Sequence, residues 1–194
     1  LEFVYVANAE RINAIETKKA DIILSGFSVT PEREQIVAFS VPYASIALLV
    51  GAPRKYQISS YADLRGKRIG VGRNTSDGAL LKQNAQGAEI IEYEDEHSLI
   101  NAYLQGQFDI ISCQHATLNQ INSKAGGERR LEPKFIQHEY QVAIALRKNE
   151  RELRKWINNW VVTNLANGKL NEIFRLHHGR NLPESVLPKP IIKD

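Results

Sequence analysis

Short apolar runs alternate with segments of helical spacing along most of this chain, and this alternation limits the possible folds more than any other feature. The pattern predicts helices between the strands, of which the clearest lie near 9–19, 75–85 and 97–105. Strands that alternate with helices are typical of α/β proteins with parallel sheets. The predicted strands cover residues 1–6, 21–27, 45–51, 67–72, 88–93, 108–112 and 140–146.

Two of the apolar runs, 43–52 and 138–147, stand next to a change from one α/β unit to the next. We interpret them as crossings between two lobes. Lobe 1 then contains residues 1–46 and 142–194, and lobe 2 contains residues 47–141. Two lobes joined by two crossings form a hinged clamp, in which a ligand is expected between the lobes and at the carboxyl ends of the strands.

The C-terminal region is predicted to be helical. Leu153, Trp156, Ile157 and Trp160 recur at helical spacing, which favours a core position for both tryptophans. A second helix is expected after Gly168, and the proline-containing tail 181–194 is expected to be irregular.

Composition excludes several classes of function. With 194 residues, 43% of them hydrophobic, the chain can bury a core, and its net charge of +3 comes without the clustered basic patch of a nucleic-acid-binding protein. Cys113 is the one cysteine, so no intrachain disulfide can form, and His177 and His178 are adjacent and expected to point to different faces, which disfavours a metal site. The chain contains no methionine, which predicts the mature part or an internal fragment of a longer protein. No cofactor motif is found, and nothing indicates an oligomeric state.

One segment has the composition of a carboxylate-binding turn. The apolar run 21–24 leads into Ser25, Gly26 and Ser28, and then into Thr30 and Pro31, which suit the cap and the first position of a helix. Such a turn places backbone N–H groups, hydroxyls and the Arg33 guanidinium around one point, where a carboxylate can bind. The alternative is an ordinary strand-to-helix turn with a solvated Arg33.

Two further strand ends carry polar residues. After the strand 67–72, free N–H groups at Thr75 and Ser76 can bind the other side of a carboxylate, although the neighbouring Asp77 competes for the same helix dipole. A phosphate loop is the other interpretation, but neither GxxxxGK[ST] nor GxGxxG is present. At the end of the strand 108–112, Gln114 and His115 can contact a ligand or cap the next helix.

Several of these segments resemble the bacterial extracellular solute-binding proteins of family 3, which are polar amino-acid receptors of ABC transporters. The resemblance rests on DIILSGFSVTPER (21–33), VAFSVPY (37–43), DLRGKRIGV (63–71), NTS (74–76), GQFD (106–109) and NLANGKLNEIF (164–174). It covers nearly the whole chain in the order of the family.

The resemblance implies a two-lobed clamp of the type II periplasmic-binding-protein kind that closes on a free amino acid or related carboxylate and is recognised by an ABC permease in the membrane. It implies a periplasmic location, or an extracellular, membrane-anchored one in a Gram-positive organism. Arg33 and Ser28 would hold the ligand carboxylate from one lobe, and Ser76 with Thr75 from the other. Ser25 and Gly26 would line the same wall, where backbone carbonyls accept hydrogen bonds from an α-ammonium.

The resemblance also bears on ligand charge. Arg11 lies in a segment similar to the one that provides a side-chain-binding arginine in glutamate- and aspartate-binding members, and His97 lies near a histidine that the same subgroup places on the opposite lobe. A second buried arginine would need a second negative charge on the ligand. The alternative for Arg11 is a surface helix residue paired with Glu10 or Glu16.

Two departures from the family pattern affect these expectations. Gln114 stands where the family usually has an aspartate that pairs with the ligand ammonium, so the charge-assisted bond is lost. The family's first strand and first helix precede the position of Leu1, so lobe 1 is expected to lack them and to expose a sheet edge.

Two other functions use the same fold. A clamp of this kind can be the periplasmic sensing domain of a signalling receptor, and the fold also hosts a dehydratase and a lytic transglycosylase. An enzyme needs a general acid or base in the cleft, for which Glu94, Asp95 and His115 are the candidates. Asp77 is the one carboxylate on the three turns assigned to the site, which favours binding without chemistry.

Overall fold

A computed structural model describes residues 1–187 of the chain. Residues 188–194, which belong to the predicted irregular tail, lie outside the described residues. The helices are α1 (Arg11–Glu16), α2 (Pro31–Glu34), α3 (Ser76–Asn84), α4 (Glu96–Leu104), α5 (His115–Lys124), α6 (Arg151–Ala166) and α7 (Lys169–His178). The strands are β1 (Ile22–Ile23), β2 (Ala38–Phe39), β3 (Ala44–Pro53), β4 (Arg68–Gly72), β5 (Glu89–Tyr93), β6 (Ile110–Gln114), β7 (Leu131–Val142) and β8 (Ala145–Leu146).

The strands form two sheets. One has three strands in the order β1-β8-β2, and the other has five in the order β5-β4-β6-β3-β7. The predicted parallel pairing is present between β4 and each of its neighbours, β5 and β6. By contrast, β3 is antiparallel to β6, and β8 is antiparallel to both β1 and β2.

The chain divides into two compact units. The first contains residues 1–11 and 47–139, and the second contains residues 12–46 together with the chain from Tyr140 onward. This division differs from the sequence-based one mainly at residues 1–11, which the structure groups with residues 47–139. The crossings predicted at 43–52 and 138–147 correspond to β3 and to β7 with β8.

In the first unit, apolar side chains cover both faces of the five-stranded sheet. Successive residues of a strand point to opposite faces, so Leu49 and Ile111 pack with α4 and α5, while Val50 and Ile110 pack in a second core with Leu81 of α3. This double burial is why the central strands consist of almost uninterrupted apolar runs.

The second unit is built in the same way around its smaller sheet. Leu146 of β8 belongs to a core with Ile157, Val161 and Leu165 of α6, whereas the neighbouring Ala145 belongs to a core with Ile15 of α1. Helices therefore supply apolar side chains to both cores of this unit.

Three sequence-based expectations are wrong. Residues 1–6 form no strand, because they pair with none of the described strands and their large side chains at Leu1, Phe3 and Tyr5 are exposed. The strand predicted at 140–146 is interrupted at residues 143–144, between β7 and β8. Finally, Trp156 and Trp160 are 66% and 43% exposed, because the buried stripe of α6 runs through Ile157, Val161 and Leu165 instead.

This packing gives a stability prediction on α6. We expect Ile157→Ala to lower the free energy of unfolding by about 2–5 kcal/mol, since Ile157 is only 2% exposed and its loss leaves a cavity. We expect the adjacent Trp156→Ala to lower it by less than about 1 kcal/mol, because Trp156 lies on the surface. Urea unfolding followed by circular dichroism measures both, and a larger effect for Trp156 would contradict this packing of α6.

Candidate functional site

The first group of predicted site residues lies at the start of α2. Thr30 is the N-cap, with its Oγ1 accepting a hydrogen bond from the backbone N–H of Arg33 at 3.4 Å, and Pro31 is the first helical residue. The helix start is therefore as the sequence predicts. Because α2 is only four residues long, few peptide dipoles add up, and the guanidinium of Arg33 is the main positive charge of this turn.

Arg33 is held in place from two sides. Its Nη1 donates a hydrogen bond to the carbonyl oxygen of Ser28 at 2.9 Å, and its Cζ lies 4.0 Å from the centroid of the Phe27 ring. Stacking on an aromatic ring and bonding to a carbonyl restrict the rotamers of a long side chain before any ligand binds. The side chain is half-buried, so the position of the Arg33 guanidinium is restricted by the protein.

The other residues of this turn have different roles. Ser28 is only 1% exposed, and its carbonyl orients Arg33. The carbonyl of Ser25 accepts hydrogen bonds from the Tyr43 hydroxyl and the Phe27 N–H, each at 2.7 Å, while the buried Oγ of Ser25 has no hydrogen-bond partner among residues 1–187. Gly26 is exposed. We call Ser25, Gly26, Ser28 and Arg33 the α2 half-site.

The second group lies between β4 and α3. Thr75 is the N-cap of α3: its Oγ1 donates to the carbonyl of Gly72 at 2.6 Å and accepts from the N–H of Gly78 at 3.3 Å. The approach is close here, because a Cβ at Gly72 would lie 3.0 Å from Cγ2 of Thr75. Ser76 is the first residue of α3, so the structure brings Thr75 and Ser76 to a helix start as predicted.

Gln114 is the last residue of β6 and immediately precedes α5. It is half-buried and pairs with Leu48 of β3, and its side chain does not cap α5. The structure therefore places Gln114 at a strand end of the first unit, the same unit as Thr75 and Ser76. We call Thr75, Ser76 and Gln114 the α3 half-site.

Asp77, the second residue of α3, is 7% exposed, and burial raises the pKa of its carboxyl. A hydrogen bond from Ser112, the nearby Thr75 side chain and the backbone N–H groups of Asp77 and Gly78 oppose that rise in pKa. The hydroxyl of Ser112 donates to Oδ2 of Asp77 at 3.0 Å and accepts from Nε2 of Gln137 at 2.7 Å. The N–H groups of Asp77 and Gly78 at the start of α3 thus interact with a carboxyl of the protein.

Arg11 and His97 line one concavity of about 270 Å³ within the first unit. The sequence-based division placed them on opposite lobes, whereas the structure brings them together. Arg11 donates a hydrogen bond to Oδ1 of Asn8 and is half-buried, while His97 is exposed. We call this concavity the Arg11 pocket.

Two protein carboxylates also line the Arg11 pocket. Asp95 is the N-cap of α4 and accepts from the N–H of Ser98 at 2.7 Å, a bond that lowers the pKa of Asp95. Glu96 accepts a hydrogen bond from the hydroxyl of Thr117. Negative charge near Arg11 therefore comes from the protein itself.

Sequence reasoning missed three residues that orient the predicted ones. Asn8 bonds to Arg11, and its position three residues earlier was a usable signal. Tyr43 and Gln137 reach their partners from 18 and 25 residues away along the chain, and no local pattern predicts such pairs.

The family model for bacterial extracellular solute-binding proteins, family 3, matches residues 1–180. The chain belongs to this family. Its relatives include the L-cystine-binding protein TcyJ of Escherichia coli (strain K12), which is 25% identical over 162 residues, 82% of this chain and 60% of TcyJ. The L-arginine-binding protein of Pseudomonas aeruginosa is 29% identical over 174 residues, 84% of this chain and 66% of that protein.

Solved structures agree on the fold. A mutant of ArgBP from T. maritima superposes with a TM-score of 0.83 at 23% identity, covering 93% of this chain and 78% of that one. The type II periplasmic-binding-protein fold expected from the sequence is therefore confirmed. The chain spans 60% of the length of TcyJ.

Two features are absent from the described part of the chain. Among residues 1–187, no helix has the length and apolar composition needed to cross a membrane. The same residues contain no group of three or more His, Cys, Asp or Glu side chains that could hold a metal ion.

The buried carboxyl of Asp77 predicts a pH dependence of stability. The pKa of Asp77 in the folded chain lies above the pKa of an unfolded aspartate, which is about 3.9. At a pH between these two pKa values, the folded chain binds more protons than the unfolded chain. The free energy of unfolding should therefore fall as the pH rises through this interval. In Asp77→Asn this contribution is absent, so its stability relative to the natural chain should rise from pH 3 to pH 7 in urea unfolding. A constant difference would contradict the raised pKa.

Proposed function

We propose that the chain is a receptor that captures a small carboxylate-bearing ligand, a polar or acidic amino acid, for import by an ABC transporter. The observation that carries the proposal is Arg33, a half-buried guanidinium stacked on Phe27 and bonded to the Ser28 carbonyl. A ligand carboxylate suits its planar set of donors.

Both half-sites have a place in this proposal. The α2 half-site supplies the Arg33 cation, and the α3 half-site supplies the N–H groups and hydroxyls at the start of α3. Gln114 supplies a neutral amide for the polar end of the ligand. Relatives named for cystine, arginine and histidine support an amino acid as the ligand class.

The charge of the ligand side chain follows from the Arg11 pocket. An acidic side chain was expected because a second arginine needs a second anion. Asp95 and Glu96 line the same pocket as Arg11 and His97, so protein carboxylates can balance that charge. We therefore favour a polar ligand over an acidic one, with Arg11 and His97 as contacts to its side chain.

Binding without catalysis agrees with the use of the carboxylates. Glu94 pairs with Arg73, and Asp95 caps α4, so two of the three predicted acid–base candidates have structural partners. The third, His115, is exposed at the first residue of α5. An ABC permease as partner and the periplasm as location are proposed from family membership.

The first test is ligand binding with and without Arg33. We expect isothermal titration to detect at least one ligand in a panel of L-cystine, L-arginine, L-histidine, L-glutamine and L-glutamate. Arg33→Ala should weaken that binding roughly 10- to 150-fold, since a hydrogen-bonded charge pair contributes about 1.5–3 kcal/mol. Arg68→Ala is the matched control, because Arg68 pairs with Glu89 at an exposed edge. Unchanged affinity in Arg33→Ala would refute the α2 half-site.

The second test concerns Gln114. We expect Gln114→Asp to tighten binding of the best amino acid in the panel about 5- to 30-fold, because a carboxylate gives the α-ammonium a charge-assisted bond. The desamino analogue of that ligand should gain nothing. Gln83→Asp, the same change on the exposed surface of α3, controls for net charge. Equal gains for both ligands would show that position 114 does not meet the ammonium.

A further inference from the structure

A chain of three polar side chains runs through the interior of the first unit. It joins Asp77 on α3, Ser112 on β6 and Gln137 on β7 through hydrogen bonds of 3.0 and 2.7 Å. Asp77 is 7% exposed and Ser112 is fully buried. Neither the fold nor the proposed ligand contacts account for an ionisable group at this place, where an apolar side chain would avoid the cost of desolvation.

The donors and acceptors in this chain have a fixed order. Gln137 donates through Nε2, so the Ser112 oxygen is used as an acceptor and its hydrogen points to Asp77. Asp77 must then accept, which suits the ionised carboxylate. The Oε1 of Gln137 is buried without a hydrogen-bond partner among the described residues.

The hydrogen bonds among these three side chains can also run in the opposite direction. When Asp77 takes up a proton from solvent, its carboxyl O–H can donate to Ser112, and the Ser112 hydroxyl can donate to Oε1 of Gln137 after rotation of the amide. In either order the Asp77 carboxyl, the Ser112 hydroxyl and one end of the Gln137 amide are hydrogen-bonded to one another. The chain can therefore accommodate both protonation states of Asp77.

The position of Asp77 connects this network to the α3 half-site. Asp77 directly follows Ser76, and its carboxylate interacts with the Thr75 side chain and with the N–H groups of Asp77 and Gly78. A ligand carboxylate bound at Thr75 and Ser76 would therefore lie near a second negative charge in a place with little water to screen it.

We propose that Asp77 is a positioning residue whose protonation state sets the affinity of the α3 half-site for a carboxylate, and that Ser112 and Gln137 hold it ionised. The inference rests on the proposed function. Ionised Asp77 fixes the turn before α3 but repels the ligand carboxylate. Protonation removes the repulsion, so affinity tightens as the pH falls.

The charged groups on the elements around α3 are mostly paired with one another. Cys113 on β6 is the titratable neighbour that interacts with Asp77, and burial, followed by Asp77 and Glu96, raises the pKa of its thiol. Three ion pairs join charged groups on these elements: Lys82 of α3 with Glu92 of β5, Arg68 of β4 with Glu89 of β5, and Arg73 with Glu94.

The experiment measures affinity against pH in the full chain. The probes are L-cystine, L-arginine and L-glutamine, whose side chains do not titrate between pH 4 and pH 7, and binding is followed by isothermal titration. We expect the affinity of the natural chain to rise about tenfold from the alkaline to the acid side of the Asp77 titration. In Asp77→Asn the profile should be flat over the same range.

Variants of the partners separate positioning from a structural role. Ser112→Ala removes a donor from the carboxylate, so the inflection in affinity should move to higher pH, and carbon NMR of Asp77 without ligand should show the same displacement. Gln137→Met, at a half-buried position, should move this inflection to higher pH by a smaller amount. This variant replaces Ser112→Ala if Ser112→Ala does not fold. Ser123→Ala, on the exposed face of α5, should change nothing.

Different failures have different meanings. Affinity that does not follow the Asp77 titration, or that weakens on acidification, overturns this inference and leaves the proposed function standing. Binding of none of the three probes, nor of L-histidine or L-glutamate, overturns the proposed function and this inference with it.

Discussion

Along the central strands, neighbouring residues point into different apolar cores. Leu49 and Val50 of β3 do so in the first unit, and Ala145 and Leu146 of β8 do so in the second. A strand buried in this way has no side that faces water, so polar groups concentrate where strands end. The turns after β1 and β4 and the last residue of β6 are such ends, and they carry the two half-sites.

The two half-sites differ in their electrostatics. In the α2 half-site a half-buried cation, Arg33, is held by an aromatic ring and a carbonyl. Beside the α3 half-site the carboxyl of Asp77 is buried, and hydrogen bonds favour its ionised form while burial opposes it. A preorganised cation attracts a carboxylate, while a buried anion limits how strongly the N–H groups beside it can do so.

Much of the fold could be predicted because its signals are local. The order of strands and helices from 21 to 124, the cap at Thr30 and the helix start at Thr75 all follow from patterns a few residues long. The wrong predictions concern features that depend on contacts with distant parts of the chain. Residues 1–6 have the composition of a strand but no partner, and the tryptophans of α6 have helical spacing but lie outside its buried stripe. Periodicity describes a stripe without saying which neighbouring stripe is buried.

By itself, the sequence determined the family, the α/β class and the turns at which polar residues collect. These depend on short-range propensity and on motifs that keep their order along the chain. The tertiary structure alone decided that Arg11 and His97 share a pocket with two carboxylates, that Tyr43 meets Ser25, and that Gln137 reaches Asp77 through Ser112. Those contacts join residues far apart in the chain, and their geometry exists only once the sheets and helices have packed.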